Sequence, residues 1–458
     1  MSFQKGIRPY LGTRAFYQKL LLISLPLALQ QLLSSAMGIV DTMLVAKISQ
    51  VTAVGTAAQI DMMAMTVAFG AASGAAIFMT QFYGAKDTVK LRKSFGLGLL
   101  MAGSIALAFA LAAFFFSGPL LRIYIDDAQI LNSASDYLSV ALFGYVPSIL
   151  MMTFSFAYRS VHKTHIPLMI GTSAMLVKIG LSYLFIFGLF GLPAMGVRGA
   201  ALGTLIAQTL GLLAYVVYSY RSHQLFIGKL REMFGFTGNF FRVILRRSSP
   251  LIFNETLFAI GSTLYIVIFG RLGSQAMESY YVAIQIGNLF LFMIQGISTA
   301  NAVILGAELG SGDLKRAKQT GNAFISVAVI FSLILSISVL LTAQPLVMMF
   351  GLKDPIVTLQ AILIVRVFAV RLSLRLFNVI IFASLRAGGD SKFLAFLDSG
   401  IMWLVGLPMA FVLVSVLHIQ SIALVFLLVQ VEQLVRVVVG LKRYFAGHWI
   451  RNLTLEIN

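Results

Sequence analysis

Twelve long stretches of mostly apolar residues, separated by short polar segments, follow one another along the chain. Each is long enough to span a bilayer, which takes about 20 apolar residues whose backbone groups bond to one another within the segment. We therefore predict an all-α polytopic membrane protein. The predicted helices 1 to 12 cover residues 18–45, 53–80, 94–116, 130–157, 167–190, 196–219, 247–270, 278–306, 320–343, 356–384, 393–416 and 419–441.

The second half of the chain repeats the proline and polar positions of the first half. Pro26 recurs as Pro250, and Arg159 recurs as Arg386 at almost the same offset along the chain. So small a drift over so long a span is typical of a duplicated unit with small changes in its loops. Because each half has an even number of predicted helices, both halves start on the same side of the membrane. We expect parallel repeats related by a pseudo-twofold axis along the membrane normal.

This repeat predicts two six-helix lobes and a connecting segment. The N-terminal lobe is expected over residues 1–220, and the C-terminal lobe, with a short cytoplasmic tail, over residues 247–458. Residues 221–246 combine basic and aromatic side chains, which is typical of an amphipathic cytoplasmic linker on the inner membrane surface. The aromatic side chains are equally typical of anchors that face lipid. Residues 1–220 and 245–445 should superpose by rotation about the membrane normal.

The charge distribution predicts the orientation in the membrane. The chain has a net charge of +18, but only 11% of its residues are charged, whereas soluble domains have roughly a quarter. If the N-terminus is inside, the inner segments and the helix ends next to them hold 24 Lys or Arg, and the outer loops with their adjoining helix ends hold five. This asymmetry predicts an inner (cytoplasmic) membrane protein with both termini in the cytoplasm. The basic surplus then indicates anionic lipid as a partner and argues against nucleic acid.

Two absences from the sequence narrow the chemistry. The chain contains no cysteine, which excludes disulfides, thiolate catalysis and cysteine-based metal sites. It also has no Walker-type phosphate-binding loop, so ATP is not the expected energy source. We predict no cofactor and a driving force supplied by an ion gradient of H⁺ or Na⁺.

Three inner loops, residues 84–87, 310–313 and 386–390, combine glycine with aspartate. Glycine permits a tight reversal, and aspartate can cap the helix that follows. The sequence around these loops resembles the multidrug and toxic compound extrusion (MATE) family of the MOP flippase superfamily. The segments that carry the resemblance are Leu25-Pro26 with Val40-Asp41-Thr42, Gly196-Val197-Arg198-Gly199-Ala200-Ala201, Glu308-Leu309-Gly310-Ser311-Gly312-Asp313 and Leu385-Arg386-Ala387-Gly388-Gly389-Asp390. The resemblance covers the whole chain and implies a cation-coupled exporter whose two lobes form a V.

Three charged residues in the first lobe are candidates for ion coupling. The resemblance places the family's proton- or sodium-linked aspartate at Asp41. Helix 5, where the family usually has Asn or Asp, has Ser182 with Lys178 in the turn before it. A charge near the centre of a spanning helix costs at least ~2.5–3.5 kcal/mol, so we expect Lys178 to pair with Asp41 or Asp61. Two interpretations stay open: a structural salt bridge, or a switch in which protonation of the acid releases Lys178 for an anionic group on the substrate.

The second lobe has a different set of charges. Glu255 on helix 7 and Arg375 on helix 10 lie at roughly 12 and 16 Å from the inner ends of their predicted helices, at 1.5 Å per residue. We therefore expect them to approach each other. Arg371 shares a helix face with Arg375 because the two have the i, i+4 spacing. These groups could form a structural ion cluster, or the arginines could bind an acidic substrate, since guanidinium suits carboxylate and phosphate.

Other polar residues within the predicted helices complete the set of candidates. Glu432 and Arg436 are spaced as an i, i+4 ion pair, and Asp398 could be a cap or a paired acid. Intramembrane amides and hydroxyls by default hydrogen-bond between helices, and those that recur in both lobes are better candidates for a cavity. The cavity candidates are Gln30, Gln31, Gln59, Asn254, Gln285, Asn288, Ser182 and Asn378.

Together these observations predict a secondary active exporter that exchanges an organic solute for H⁺ or Na⁺ by rocking of its two lobes. An alternative from the same superfamily is a flippase for an anionic lipid-linked precursor, which the arginines of helix 10 favour. A membrane-embedded enzyme is disfavoured because no acid, base and nucleophile converge at one depth. The expected partners are a small organic solute, anionic if the arginines bind it, and membrane lipids. We expect a monomer.

Overall fold

A computed structural model describes residues 12–124, 127–352 and 354–457. These residues form helices and connecting turns, without a β-strand. Residues 1–11 of the predicted N-terminal lobe, and the predicted outer-loop residue Lys353, lie outside the described residues.

Within the described ranges, twelve helices are long and apolar enough to cross a membrane, as the sequence predicts. In the first half of the chain, α1 to α6 are Arg14–Ala46, Val51–Gly84, Thr88–Arg122, Ala128–Ser160, His165–Phe187 and Gly196–Arg221. In the second half, α7 to α12 are Gly238–Gly270, Gln275–Gly310, Leu314–Met348, Pro355–Ala387, Ser391–Val416 and Ile422–Phe445. The predicted all-α fold with twelve spanning helices is confirmed.

Several spanning helices are longer than their apolar stretches, because the polar residues at their ends also take part in the helical backbone hydrogen bonds. Asp87 and Asp313 each accept a hydrogen bond from a backbone N–H in the first turn that follows, at 2.9 and 3.0 Å, and so cap α3 and α9. Asp390 differs from this prediction. Its carboxylate accepts a hydrogen bond from Nε of Arg443 at 2.8 Å and does not cap α11.

Contacts within the chain divide it into two compact units. The N-unit is Leu29–Ile252, and the C-unit comprises the residues up to Ala28 together with Phe253–Glu456. As a result α1 and α7 each contribute residues to both units. The two division points are separated by the same offset as Pro26 and Pro250. The duplication therefore extends to the position at which each of these helices passes from one unit to the other.

The segment over residues 221–246 packs against α3 within the N-unit. It contains the short helix Leu230–Phe234 and also the first turns of α7, so the linker ends before Gly238 and not at residue 246 as predicted. Phe226 is buried, with its ring centroid 4.9 Å from that of Phe95. A side chain at Gly96 would place its Cβ 2.2 Å from the carbonyl oxygen of Met233, so this close approach requires glycine. The buried aromatic side chain of Phe226 thus serves protein packing and does not face lipid.

Small residues allow α5 and α6 to approach closely. Gly199 and Gly203 are spaced as a small-xxx-small motif, which lets the backbones of spanning helices come into contact. A Cβ on Gly199 would lie 2.6 Å from the carbonyl oxygen of Phe185, and one on Gly203 would lie 2.6 Å from the backbone nitrogen of Ser182. This contact holds α5, and with it Ser182, at a fixed distance from α6.

The end of the chain packs on the loop between α10 and α11. Trp449 is 1% exposed, and its ring stacks on that of Tyr444 with centroids 5.2 Å apart. A Cβ on Gly388 would lie 1.8 Å from the carbonyl oxygen of Trp449. Gly388 is therefore required by the tail that lies over it, whereas its own φ of −86° is open to other residues.

Replacing Gly199 with alanine should destabilise the protein, because the added methyl group has no space between α5 and α6. We expect a loss of about 1–3 kcal/mol, as for other overpacked sites, measured as a lower thermal unfolding temperature of the detergent-purified protein. The matched control is Gly180→Ala on α5, where an added Cβ would meet nothing within 4 Å. Equal unfolding temperatures for the two variants would contradict the close packing of α5 on α6.

Candidate transport sites in the two units

The N-unit contains a cavity of about 310 Å³ that is lined by charged and polar side chains from α1, α2, α4, α5 and α6. Asp41, Asp61 and Lys178 line it together with Tyr137 and Gln208. Small residues around them keep the space open. The structure thus brings together the three charged residues that the sequence predicts for ion coupling in the first lobe.

Asp41 and Lys178 form an ion pair within this cavity, in which Nζ of Lys178 donates to Oδ2 of Asp41. The predicted pairing is confirmed. Their side chains are 28% and 31% exposed, so the pair faces the cavity and is not sealed in the core. Asp61 lies on the same cavity and, among the described residues, forms no ion pair. Ser182, one turn after Lys178, also lines the cavity but is itself 3% exposed.

The C-unit contains a smaller cavity of about 120 Å³ between α7, α8, α10, α11 and α12. Arg371 and Arg375 both line it, as expected for residues with the i, i+4 spacing on one helix face. The remaining lining residues are Phe258, Ser262, Tyr265, Phe269, Tyr280, Met402, Phe426, Val429, Gln430, Glu432, Gln433 and Arg436.

Arg436 is the centre of an ion network at this cavity. Its side chain is 1% exposed and lies 2.5 Å from Glu432, which confirms the predicted i, i+4 pair. It also lies 3.5 Å from Oδ1 of Asp398 and donates to the Asp398 carbonyl at 2.7 Å. The hydroxyl of Tyr265 donates to Glu432. One guanidinium is therefore shared between two carboxylates.

Local irregularities in α11 and α12 place these groups. The α11 backbone widens into π-helical turns at Phe396–Gly400 and Met402–Gly406, next to Asp398 and the cavity residue Met402. Such turns occur often at functional sites. In α12 the helix is interrupted at Gln430, which lines the cavity and whose amide donates to the carbonyl of Phe426 at 2.7 Å.

The ion-pair partner of Glu255 is Arg386, and its predicted approach to Arg375 stays a prediction. Glu255 is paired with Arg386, at 3.1 Å, near the inner end of α10. Arg386 lies about three helical turns beyond Arg375, so the two arginines are about 16 Å apart along the helix axis. α7 begins at Gly238, well before the predicted start at residue 247. The ends of α7 and α10 were therefore not comparable markers of depth.

The predicted cavity amides are buried, partly buried or exposed, and none of them lines either of the two cavities. Asn254 is fully buried and donates to Asp398 at 3.1 Å, and buried Asn378 donates to the cavity residue Gln433 at 2.9 Å. Both hold α7 and α10 to neighbouring helices. Gln30 is partly buried. The exposed candidates are Gln31, Gln59, Gln285 and Asn288.

Sequence reasoning missed several cavity residues, although the repeat contained a signal for them. Asp41 and Tyr265 are separated by the same offset as the two repeated prolines. Asp41 lines the N-unit cavity, Tyr265 lines the C-unit cavity, and the two cavities lie between corresponding helices of the two halves. The two cavities therefore occupy equivalent places in the repeat but contain different chemical groups. Among the described residues, no cluster of three or more His, Asp or Glu side chains could hold a metal ion.

The MatE family model matches the chain over residues 26–184 and again over residues 250–412. The chain is a member of the MATE family. The two matched segments begin at the two repeated prolines, Pro26 and Pro250, so the duplication inferred from the sequence coincides with the two segments that the family model matches.

Relatives of this MATE protein span most of its length. It is 26% identical to the uncharacterized transporter YisQ of Bacillus subtilis, over 84% of this chain and 85% of the relative. It is 25% identical to the probable multidrug resistance protein NorM of Thermotoga maritima, over 87% and 86%.

Solved MATE structures have the same fold. A mutant of the Vibrio cholerae MATE transporter VcmN superposes with a TM-score of 0.86 at 15% identity, covering 96% of this chain and 98% of that one. A MOP superfamily transporter from Pyrococcus furiosus, described as having a binding pocket of reverse polarity, superposes with a TM-score of 0.84 at 18% identity, covering 97% and 98%.

Replacing Arg436 with glutamine should strongly destabilise this MATE protein. The substitution leaves Glu432 and Asp398 buried without their cation, and breaking a buried ion pair in this way costs about 3–5 kcal/mol. The readout is the thermal unfolding temperature of the purified protein. The control is Arg366→Gln, an exposed arginine in α10 that lines neither cavity. If both variants unfold at the same temperature, Arg436 is not the centre of a stabilising network.

Proposed function

We propose that this MATE-family protein is a secondary active exporter that moves an organic solute out of the cell in exchange for protons. The family membership and the multidrug resistance proteins among its relatives support transport of small organic molecules. They support a transporter and not an enzyme. The excess of basic residues in the inner segments supports a location in the cytoplasmic membrane with both termini inside.

The single observation that carries the proposal is the Asp41–Lys178 ion pair on the N-unit cavity. Protonation of Asp41 removes its charge and with it the attraction that holds Lys178. The released ammonium can then turn to Asp61 on the same cavity or to an anionic group of the solute. Deprotonation restores the pair, so the protonation state of one carboxylate decides which groups in the cavity are available to a substrate.

The same pair favours the proton over sodium as the coupling ion. A bound Na⁺ needs several oxygen ligands, and the ammonium of Lys178 already lies against Asp41, where such an ion would bind. A proton needs only the carboxylate oxygen itself. A proton can therefore displace Lys178 from Asp41, whereas Na⁺ would have to share the carboxylate with another cation.

Helix α1 is the element through which this change can reach the rest of the protein. Asp41 belongs to the part of α1 that lies in the N-unit, while the residues up to Ala28 belong to the C-unit. Pro26 lies inside this helix and removes one of its backbone hydrogen bonds, which makes bending easier there. A change at Asp41 thus acts on a helix that both units share, as alternating access requires.

Asp41→Asn should abolish proton-driven export, because an amide cannot take up and release the proton, while the protein should remain folded in the membrane. The measurement is accumulation of a fluorescent organic dye in everted vesicles, with the pH gradient and the sodium gradient varied separately. The control is Asp136→Asn, which removes a half-exposed aspartate that pairs with Arg198 outside the cavity. Proton-driven accumulation by Asp41→Asn at the normal rate would reject the proposed coupling site.

Lys178→Ala separates a switch from a structural salt bridge. If the pair is a switch, the variant should export with an altered dependence on pH, since the proton no longer competes with an ammonium for the carboxylate of Asp41. If the pair is only structural, the variant should unfold at a lower temperature while transport per folded molecule keeps its pH dependence. The double variant Asp41→Asn/Lys178→Ala can recover stability in either case, but it should not recover ion dependence.

The second candidate function is a flippase for an anionic lipid-linked precursor. The observation that favours it is the pair of arginines on the C-unit cavity, which suits a phosphate group. Reconstituted protein that moves fluorescent anionic lipid between leaflets, and does not accumulate dye, would favour this alternative over export of a soluble molecule.

A further inference from the structure

The C-unit cavity has more positive charge than its own carboxylates neutralise. Glu432 and Asp398 both pair with Arg436, and Glu255 pairs with Arg386. Among the described residues, no carboxylate is within ion-pair distance of Arg371 or Arg375. With Arg436 included, three guanidinium groups thus accompany the two carboxylates of the network. One positive charge is left over at the cavity.

An uncompensated charge inside a spanning helix is costly and needs a physical reason. The stacking of Arg371 on aromatic rings offsets only part of this cost. Its Cζ lies 5.4 Å from the ring centroid of Phe368 and 5.1 Å from that of Phe426. Aromatic faces stabilise a guanidinium and orient its plane, but they leave the N–H edge free to donate hydrogen bonds.

We propose that the C-unit cavity is an anion-binding site in which Arg371 and Arg375 receive a carboxylate or phosphate group. The planar fork of guanidinium matches both groups and binds them through paired hydrogen bonds. Tyr280 lines the same cavity and carries a hydroxyl group that can donate to a further oxygen. The role of the C-unit cavity in transport rests on the exporter function proposed above, whereas anion binding to this cavity does not.

The size of the cavity limits what it can hold. Its volume of about 120 Å³ is well below the ~300–1,000 Å³ of a pocket for a drug-sized ligand. It therefore has room for one small anionic group and not for a whole bulky solute. The ligand class is a small organic anion, or the anionic end of a larger solute.

The repeat supports a specialised role for this cavity. Its counterpart in the N-unit has the two carboxylates Asp41 and Asp61 and a single cation, Lys178. The excess charge is thus negative in one cavity and positive in the other. Asp41 of the first half corresponds to the neutral Tyr265 in the second, at the offset that also relates the repeated prolines. The two copies have diverged in the sign of their charge while the places of the cavities are retained.

Binding can be tested directly on the purified full-length protein in detergent. Sodium acetate and sodium phosphate are titrated while the thermal unfolding temperature is followed, with sodium chloride at equal ionic strength as the reference. A ligand that binds only the folded state raises this temperature in a saturable way. The fluorescence of Trp403, which is next to the cavity residue Met402 and donates to the carbonyl of Leu257 at 3.1 Å, gives a second readout.

Arg375→Gln and Arg371→Gln should each weaken acetate or phosphate binding by about tenfold or more, because each removes one charge-assisted contact. Arg375→Lys keeps the charge but loses the fork, and should bind with intermediate affinity. If Arg375→Gln does not fold, Arg375→Lys tests the contribution of Arg375 in its place. Arg366→Gln is the matched control: the same substitution on the same helix, at an exposed position outside the cavity. It should bind as the unmodified protein does.

Three results would overturn the proposal. Sodium chloride could reproduce the whole effect, which would indicate salt screening alone. The Arg371 and Arg375 variants could bind as tightly as the unmodified protein, or Arg366→Gln could lose as much affinity as they do. Competition by short-chain phosphatidylglycerol distinguishes the source of the anion. If this lipid displaces phosphate, the anion is a lipid headgroup. If it does not displace phosphate, the anion is a soluble molecule.

The outcome is separable from that of the exporter proposal. Asp41→Asn should bind acetate or phosphate normally in detergent, because Asp41 lies in the other unit and no ion gradient is present. Normal anion binding together with failed proton-driven export would reject the coupling proposal alone. Normal export with no anion binding would reject the anion site alone.

Discussion

The cost of placing a charged side chain in a spanning helix is the constraint on which most of the polar structure of this protein depends. Water is absent from the bilayer core, so a charge there is costly, and most of the charges in these helices pair within the protein or line a cavity. Asp41 is paired with Lys178, and Glu255 with Arg386. Arg436 is shared between two carboxylates. These pairs hold spanning helices to one another at defined heights and give each unit its polar interior.

The charged residues that lack an ion pair are as informative as those that form one. Asp61, Arg371 and Arg375 form no ion pair among the described residues, and all three line cavities. A charge that is left unpaired at such a position is available to an ion or a substrate. A charge that is fully paired and buried, such as Arg436, stabilises the unit that contains it. This contrast separates candidate transport residues from structural ones better than intramembrane position alone.

Duplication explains how two such different cavities arose in one chain. The backbone retains the repeat, from the prolines to the positions at which α1 and α7 pass between the units. The charges do not. Glu255 and Arg386 form a pair in the C-unit, whereas their counterparts in the first half are Gln31 and Arg159. Arg159 lies against the ring of Phe156, 5.4 Å from its centroid. Substitution of single side chains on a retained scaffold was thus enough to change the chemistry of one copy.

The sequence by itself determined the number of spanning helices, the duplication and the family, because these follow from long apolar stretches and from repeated residues that can be read along the chain. It also restricted the partner of Lys178 to two carboxylates, since few acids occur in the first lobe. It did not determine which of the two is used, or that Glu255 pairs with Arg386. Those outcomes depend on how far each helix extends and which face it turns to its neighbours. Only the tertiary structure decides this, because ion pairs join residues that are more than a hundred positions apart in the chain.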